Sequence, residues 1–216
     1  MHKTILTALA AGLLGLGPAQ AAIVIDFETM PVGAPAEGFT TPGAPGVRFF
    51  RHNPGSGGLF IGNLGIQGSG SRSLVVNSDE DGNFLRIELD AEATSIALDF
   101  GNDDLGATDP GDLAYLAAFN NGVMVGSTTV LLNRDDAMNQ TISYSGAVFD
   151  RVTFAYVNPL LQPFTGSGVT IGLAEVVDNI VIDLVPTTVP EPGALALLGM
   201  GLAGLGLVRR RRNLAD

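Results

Sequence analysis

Between residues 22 and 186, apolar and polar positions alternate with a period of two, not with the period of a helix. Apolar side chains occupy every second position over 84–89 and again over 151–157, as in strands with one buried face. Clusters of Gly, Pro, Asn and Asp separate these runs. About eleven strands are predicted, at 23–27, 46–50, 73–76, 84–89, 95–100, 113–119, 123–132, 141–144, 152–157, 169–173 and 177–184.

The connections between these runs indicate the fold class. The step Asn120-Asn121-Gly122 favours a tight hairpin turn. The glycine-rich stretch 55–70 is expected to be a long surface loop. Many short strands without crossover helices are typical of an antiparallel arrangement. We therefore predict an all-β domain over residues 22–186, an antiparallel β-sandwich with jelly-roll-like topology.

The N-terminus has the three parts of a secretory signal peptide. His2 and Lys3 form a basic start, residues 5–16 are apolar, and 18–21 are a small-residue exit. We predict a signal peptide over 1–21, cut by signal peptidase after Ala21, with cleavage after Ala22 as the alternative. An uncleaved anchor is disfavoured because the apolar stretch is too short to span a bilayer comfortably.

The C-terminus also has three parts in order. A linker, 187–192, contains Pro190-Glu191-Pro192, and an uncharged segment, 193–208, follows it. As a helix that segment reaches ~24 Å, short of a ~30 Å hydrocarbon core, so we predict a thin transmembrane span whose arginines snorkel to the interface. The tail 209–216 is predicted to stay in the cytoplasm because basic residues hold that side. These residues are Arg209, Arg210, Arg211 and Arg212.

The tripeptide, the short apolar span and the arginine cluster together resemble the PEP-CTERM sorting signal of Gram-negative bacteria. The resemblance implies that exosortase, an integral-membrane protease, recognises Pro190-Glu191-Pro192 and removes the tail. It also implies a cell-envelope, cell-surface or extracellular-matrix location, and a setting of exopolysaccharide production. A plain C-terminal membrane anchor is the alternative, since its span and basic stop would look the same.

Charge and composition exclude several functions for the domain. Between residues 22 and 190 there are 6 Arg and 20 Asp+Glu, a net charge of −14. Such a surface repels phosphate backbones and anionic lipid, so no nucleic-acid partner is expected. The chain has no Cys and no Trp, so packing must stabilise it without disulfides.

Catalytic groups are scarce. His52 is the single histidine after the signal peptide. The residues around it favour a turn, so we expect His52 to be an exposed loop residue. The mature chain has no thiol, no lysine before the tail and no G-x-S-x-G elbow. Acidic residues are plentiful, but no spacing singles out a catalytic pair. We predict that the protein is not an enzyme.

Calcium is the cofactor that the acidic loops favour, although none is certain. Residues 77–88 match the spacing of an EF-hand loop, which makes Asp79, Asp81 and Glu88 candidate ligands. The flanking residues are predicted strands, however, so an acidic hairpin loop is the favoured alternative. A second acidic cluster could wrap calcium or simply solvate one end of the sandwich, and solvation is favoured. Its members are Asp99, Asn102, Asp103, Asp104, Asp109 and Asp112.

A third candidate site comes from a loose resemblance to galactose-binding-like jelly rolls. An Asp-Phe-Glu opening at 26–28 and an Asp-Asn-Ile close at 178–180 carry it. The resemblance implies a structural calcium between the first and last strands, held by Asp26 or Glu28 together with Asp178 and Asn179. Alternatively, these side chains face solvent from their strands.

The sequence thus predicts two roles for the domain. The first is a non-catalytic β-sandwich in surface or matrix structure, and the alternative is a calcium-supported carbohydrate-binding module for exopolysaccharide. Sugar contact needs aromatic faces, and the loop residues Phe60 and Phe164 are candidates. The three tyrosines alternate with core positions, so core packing is favoured for them. They are Tyr115, Tyr144 and Tyr156.

Overall fold

The computed structural model describes residues 21–52, 58–63, 72–76, 84–103, 105–164, 175–186 and residue 199. Ala21–Val185 forms one compact unit. The described part of this unit consists of strands joined by turns. They are β1 (Ile23–Ile25), β2 (Phe39–Thr41), β3 (Ala44–Arg51), β4 (Leu59–Gly62), β5 (Ser73–Val76), β6 (Leu85–Gly101), β7 (Leu113–Asn120), β8 (Val123–Leu131), β9 (Gln140–Val157) and β10 (Glu175–Leu184).

These strands form one continuous antiparallel sheet in the order β4-β5-β10-β6-β9-β7-β8. β1 pairs with β10, while β3 pairs with both β2 and β6. Along the β6–β9 ladder, Phe100 lies opposite Gln140 and Leu85 lies opposite Phe154. Phe100 and Phe154 are thus far apart in register, yet their ring centroids are 5.6 Å apart. The sheet therefore folds over on itself into a two-layer sandwich.

The long strands β6 and β9 belong to both layers. In the first layer, residues 93–101 of β6 and 140–149 of β9 pair with each other, and β6 also pairs with β10. In the second layer, 85–89 of β6 and 151–157 of β9 lie between β3 and β7. The β6–β9 register shifts between Glu88 and Ser95, and such an irregularity bends a strand pair.

One hydrophobic core lies between the layers. Side chains at alternate strand positions fill it, since successive residues of a strand point to opposite faces. Burying an aromatic or large aliphatic side chain contributes about 1.5–3 kcal/mol. The largest fully buried aromatic side chains are Phe27, Phe49, Phe100, Phe149, Phe154 and Tyr156.

The prediction of an antiparallel β-sandwich is confirmed, but several strand boundaries were wrong. The separate strands expected at 84–89 and 95–100 are one strand, β6, and those at 141–144 and 152–157 are one strand, β9. The predicted loop 55–70 contains β4, whose run Leu-Phe-Ile-Gly pairs with β5. The strand predicted at 169–173 lies outside the described residues.

The predicted tight turn between β7 and β8 is confirmed. Asn121 has φ 49° and Gly122 has φ 82°. Two consecutive residues of positive φ are the requirement of a type I′ hairpin turn, and Asn-Gly is its preferred sequence. The turn fixes the register in which Asn120 opposes Val123.

The segments predicted at the two ends of the chain lie almost entirely outside the described residues. The signal peptide (apart from Ala21), the sorting tripeptide Pro190-Glu191-Pro192 and the arginines 209–212 lie outside the described residues. So does the predicted span 193–208, except for Gly199. In the described part of the chain, no helix is long and apolar enough to cross a membrane.

Candidate functional site

Four carboxylates meet where the first and last strands of the domain pair. Asp26 and Glu28 directly follow β1, whose last residue, Ile25, lies opposite Ile180 of β10. Within β10, Asp178 lies opposite Asp99 of β6. We call Asp26, Glu28, Asp99 and Asp178 the carboxylate cluster. The structure thus brings together Glu28 and Asp178, which the sequence proposed as one site, and adds Asp99.

Strained backbone places these side chains. The β10–β6 register shifts after Asp178, where Asn179 has φ 46°, and Phe27 has φ 56° between the two acidic residues of the opening. Positive φ is uncommon for a residue other than glycine, particularly for a bulky aromatic one. The Asn179 backbone N–H donates to Asp178 Oδ1 at 2.8 Å, and Asn179 Nδ2 donates to Asp99 Oδ2 at 3.1 Å.

Asp178 is the least solvated member of the cluster. Its side chain is buried, and burial is the main cause that raises the pKa of this carboxyl to about 6. The hydrogen bond from the Asn179 backbone N–H lowers the pKa and so partly offsets the effect of burial. The charges of Glu28, Asp26 and Asp99 raise the pKa further. Like charges this close oppose one another's ionisation, and a bound cation would relieve that repulsion.

Glu28 and Asp26 have partners of their own. The Arg72 backbone N–H donates to Glu28 Oε1 at 3.2 Å, and Arg72 Nη1 donates to the carbonyls of Glu28, at 2.9 Å, and Met30. Asp26 Oδ1 accepts the Glu28 N–H at 3.2 Å. Asp99 Oδ1 accepts the hydroxyl of Thr141 at 2.6 Å. These bonds hold the carboxylates in place around Asp178.

The cluster is not a closed coordination shell in this conformation. Among the described residues, no three His, Cys, Asp or Glu side chains are arranged to hold a metal ion. Calcium binding by Glu28 and Asp178 therefore stays a prediction. Two other proposed ligands, Asp79 and Asp81, lie outside the described residues.

Glu88 lies in a different environment. It is on β6, opposite Arg48 on one side and Arg151 on the other, and its Oε1 is 3.3 Å from Arg86 Nε. Guanidinium groups compete with a metal ion for a carboxylate. The segment 77–83 is flanked by strands β5 and β6, as expected, and not by the helices of an EF-hand.

The acidic segment from Asp99 to Asp112 was expected mainly to be solvated, and Asp109 is exposed, but two of its carboxylates are buried. Asp103 and Asp112 are buried. Asp103 Oδ2 accepts the Arg134 N–H at 3.0 Å, and Asp112 Oδ2 accepts the Asp109 N–H at 2.6 Å. Burial raises the pKa of Asp112 and the charge of Asp109 adds to it, while the Asp109 N–H and Arg134 act in the opposite direction.

Arg134 fixes this loop from the opposite side. Its Nε donates to Thr108 Oγ1 at 3.1 Å, and its Nη2 donates to the carbonyls of Leu105, at 3.3 Å, and Thr108. A guanidinium that spans several loop acceptors acts as a structural clamp. The loop therefore accounts for one oxygen of each buried carboxylate, whereas Asp103 Oδ1 is buried without a hydrogen-bond partner among the described residues.

The aromatic candidates divide between core and surface. Tyr144 and Tyr156 are buried, as their alternation predicts, whereas Tyr115 is half-buried on the outer side and its hydroxyl lies 3.7 Å from Met124 Sδ. Phe164 is half-buried and packs against the core. His52 is exposed, as expected, and its ring stacks on Phe84 at 3.8 Å.

Comparison with known proteins assigns the C-terminal segment. Residues 188–212 match the PEP-CTERM protein-sorting motif. The chain therefore carries this sorting motif directly after the β-sandwich. No curated protein matched the chain.

Several solved structures are similar to parts of this chain. The K2 cleaved adhesin domain of Lys-gingipain is 15% identical, with 76% of this chain and 99% of that domain covered and a TM-score of 0.44. The CBM22-1 xylan-binding domain from Paenibacillus barcinonensis is 14% identical, with 79% and 97% covered and a TM-score of 0.39. An arabinose-bound α-L-arabinofuranosidase is 12% identical, with 78% of this chain but 27% of the enzyme covered and a TM-score of 0.47. At such low identities, the ligands and activity of these proteins do not transfer to this chain.

Proposed function

We propose that this protein is exported and tethered to the membrane, then cut near Pro190-Glu191-Pro192 by an exosortase-type membrane protease. The mature β-sandwich then acts without catalysis in the structure of the cell surface or extracellular matrix. The observation that carries this proposal is the sorting motif at 188–212, which follows a compact domain ending at Val185.

The side chains of the domain support a non-catalytic role. His52, the single imidazole of the mature chain, stacks on Phe84, and Arg86 and Arg151 add to burial in lowering its pKa. A histidine between guanidinium groups is a weak general base. The buried carboxylates Asp103 and Asp112 are hydrogen-bonded within a clamped loop, which is a structural arrangement.

The test follows the tail in a bacterium that has an exosortase. The variant combines Pro190→Ala, Glu191→Gln and Pro192→Ala, and Asn213→Ala, beyond the arginines, serves as the control. We expect the wild type and the control to lose the tail and reach the surface or matrix fraction. The variant should keep the tail and stay in the membrane fraction. Identical processing of variant and wild type, measured by mass spectrometry of the C-terminus, contradicts the proposal.

A calcium-supported carbohydrate-binding module is the second candidate. The carboxylate cluster favours it, because three carboxylates oppose the ionisation of Asp178 and a cation would remove that cost. Glu28 and Asp178 are the principal ligands in this proposal, and Asp79, Asp81 and Glu88 form an alternative set. The test is whether calcium raises the unfolding temperature of the wild type but not of a variant that lacks the Asp178 carboxylate.

A further inference from the structure

Three arginines lie on the outward side of the second layer. In one row across the sheet, Arg48 of β3 lies opposite Glu88, Glu88 opposite Arg151, and Arg151 opposite Phe119 of β7. In the neighbouring row of the same side, Phe50 lies opposite Arg86, and Arg86 opposite Thr153. We call this surface, defined by Arg48, Arg86 and Arg151, the arginine face. It holds three of the six arginines between residues 22 and 190.

Two of these guanidinium groups are supported by aromatic rings. The Arg86 guanidinium carbon lies 4.7 Å from the centroid of Phe50, and that of Arg151 lies 4.5 Å from the centroid of Phe119. A guanidinium stacked on a ring keeps the N–H donors at its edge, so it can still bind a planar acceptor in bidentate fashion. The rings therefore orient these arginines without using their hydrogen bonds.

The same three arginines have donors that the described residues leave unsatisfied. The Nε atoms of Arg48, Arg86 and Arg151 are buried and have no hydrogen-bond partner there. Arg86 Nε lies 3.3 Å from Glu88 Oε1, a charge contact without hydrogen-bond geometry. An unmade bond at a buried charged donor is unfavourable. Because these Nε atoms are shielded from solvent, an acceptor from outside the domain can reach these arginines only through the outer nitrogens of their guanidinium groups.

Charge on this face contrasts with the rest of the domain. Its described carboxylates are Glu88 and Asp90, and Asp90 pairs with Arg48 at 2.9 Å. Three guanidinium groups thus face two carboxylates, in a domain of net charge −14. The pKa of His52 is lowered by burial, which is the largest cause, and then by the charges of Arg86 and Arg151. The positive potential of these two arginines therefore extends to His52 at the edge of the face.

We propose that the arginine face binds a polysaccharide that carries carboxylates, that is, a glycan containing uronic acid. This inference rests on the proposed surface or matrix function and names the partner. Guanidinium forks match carboxylates in geometry and charge. The phenyl rings beside them offer apolar surface to the sugar rings between successive carboxylates. A glycan with spaced charges fits a locally basic face, whereas a nucleic acid or an anionic membrane would meet the acidic remainder of the domain.

The test uses the full-length chain in neutral detergent, with chelator present so that calcium cannot bridge acidic groups. Four probes are compared by calorimetry at 0.15 M salt: polygalacturonate, its methyl-esterified form, dextran sulfate and neutral dextran. We expect saturable binding to polygalacturonate and at least tenfold weaker binding to the methyl ester and to dextran. Equal binding of polygalacturonate and its ester would overturn carboxylate recognition, as would absence of binding to polygalacturonate or a preference for dextran sulfate.

Two matched substitutions on β9 test whether polygalacturonate binds at the arginine face. Thr153→Glu adds a carboxylate beside Arg86, and Ser143→Glu adds one at an exposed position of the first layer. We expect Thr153→Glu to weaken polygalacturonate binding at least tenfold and Ser143→Glu to change it less than twofold. The pair Arg86→Gln and Arg151→Gln should act like Thr153→Glu, with thermal unfolding as a check on folding. Equal effects of the two glutamates contradict the proposal.

The failures of the two proposals are distinguishable. If the tail is processed normally and the domain ignores polygalacturonate, the arginine face is wrong and the sorting proposal stands. If polygalacturonate binds but the tripeptide variant is processed like the wild type, the sorting proposal is wrong and the arginine face stands.

Discussion

At Asp178, burial and three neighbouring carboxylates oppose ionisation, while one backbone N–H favours it. The pKa of about 6 in the folded protein lies above the ordinary aspartate value of 3.8. The folded state therefore binds more protons than the unfolded state between these values. Its stability falls as the pH rises from about 4 to about 6 and is constant above that range. The full cost at pH 7 is at most about 3 kcal/mol.

Replacement of Asp178 by Asn removes this cost. The amide oxygen can still accept the Asn179 N–H, so the local backbone is preserved. We expect Asp178→Asn to raise the free energy of unfolding at pH 7 by about 1–3 kcal/mol. The decline between pH 4 and pH 6 should flatten. Denaturant unfolding from pH 4 to pH 8 measures both effects. Asp183→Asn, on the same strand but exposed, is the control and should retain the decline.

Added calcium tests whether Asp178 takes part in a metal site. If the carboxylate cluster binds calcium, millimolar calcium at pH 7 should raise the unfolding temperature of the wild type but not of Asp178→Asn. Magnesium at equal ionic strength is the comparison. An equal rise in both proteins places the ion elsewhere, with Asp79 and Asp81 as the next ligands to replace. No rise in the wild type removes calcium from the proposed function.

At the scale of elements, the end of β6 packs very closely against the turn that precedes β9. A Cβ atom on Gly101 would lie 2.5 Å from the carbonyl oxygen of Ala137, a backbone atom that cannot rotate away. Gly101→Ala should therefore lower the free energy of unfolding by about 1–3 kcal/mol. Gly46→Ala on β3 is the matched control, because its nearest contact would be an ordinary 3.6 Å to Asp90. Chemical unfolding measures the difference, and equal effects of both changes would contradict this account.

The elements also show how far sequence reasoning reaches. Runs of β-favouring residues between turn signals correctly identified β5, β7, β8 and most of β10. The sequence predicted two strands in place of β6 because Asp90, Ala91 and Glu92 are all exposed, a pattern typical of a loop. In the structure the strand continues through these residues, with a shift in the β6–β9 register. β4 was missed since glycines surround its four residues. Periodicity describes side chains, whereas these boundaries depend on backbone pairing.

The residues of the candidate site were also only partly predictable from the sequence. Glu28 and Asp178 were paired by a resemblance and do share one cluster. Asp99 was assigned to a separate acidic loop, because only the β10–β6 register places it opposite Asp178. The arginine face was missed altogether. Arg48, Arg86 and Arg151 lie on three strands distant in sequence, and single-strand alternation does not show which strands are neighbours.

The whole molecule carries a large negative charge on its folded domain, −14 between residues 22 and 190. Self-repulsion at low salt should therefore destabilise the compact state. Between 0.01 M and 0.15 M sodium chloride the Debye length falls from about 30 Å to about 8 Å. We expect the unfolding temperature to rise by about 2–4 °C over this range, equivalent to about 1 kcal/mol. Differential scanning calorimetry measures it, and a fall in unfolding temperature would show that attractive ion pairs dominate.

β10 has a mechanical consequence for an anchored protein. It ends at Leu184, a few residues before the sorting motif, and it has antiparallel neighbours on both sides, β6 on one and β5 with β1 on the other. Tension transmitted from a tethered C-terminus would pull β10 along its own axis. Its ladder bonds, which lie across the strands, would then be loaded together in shear and not peeled apart one at a time. If the proposed tether holds the protein before processing, drag on the domain would thus load a strand that has neighbours on both sides.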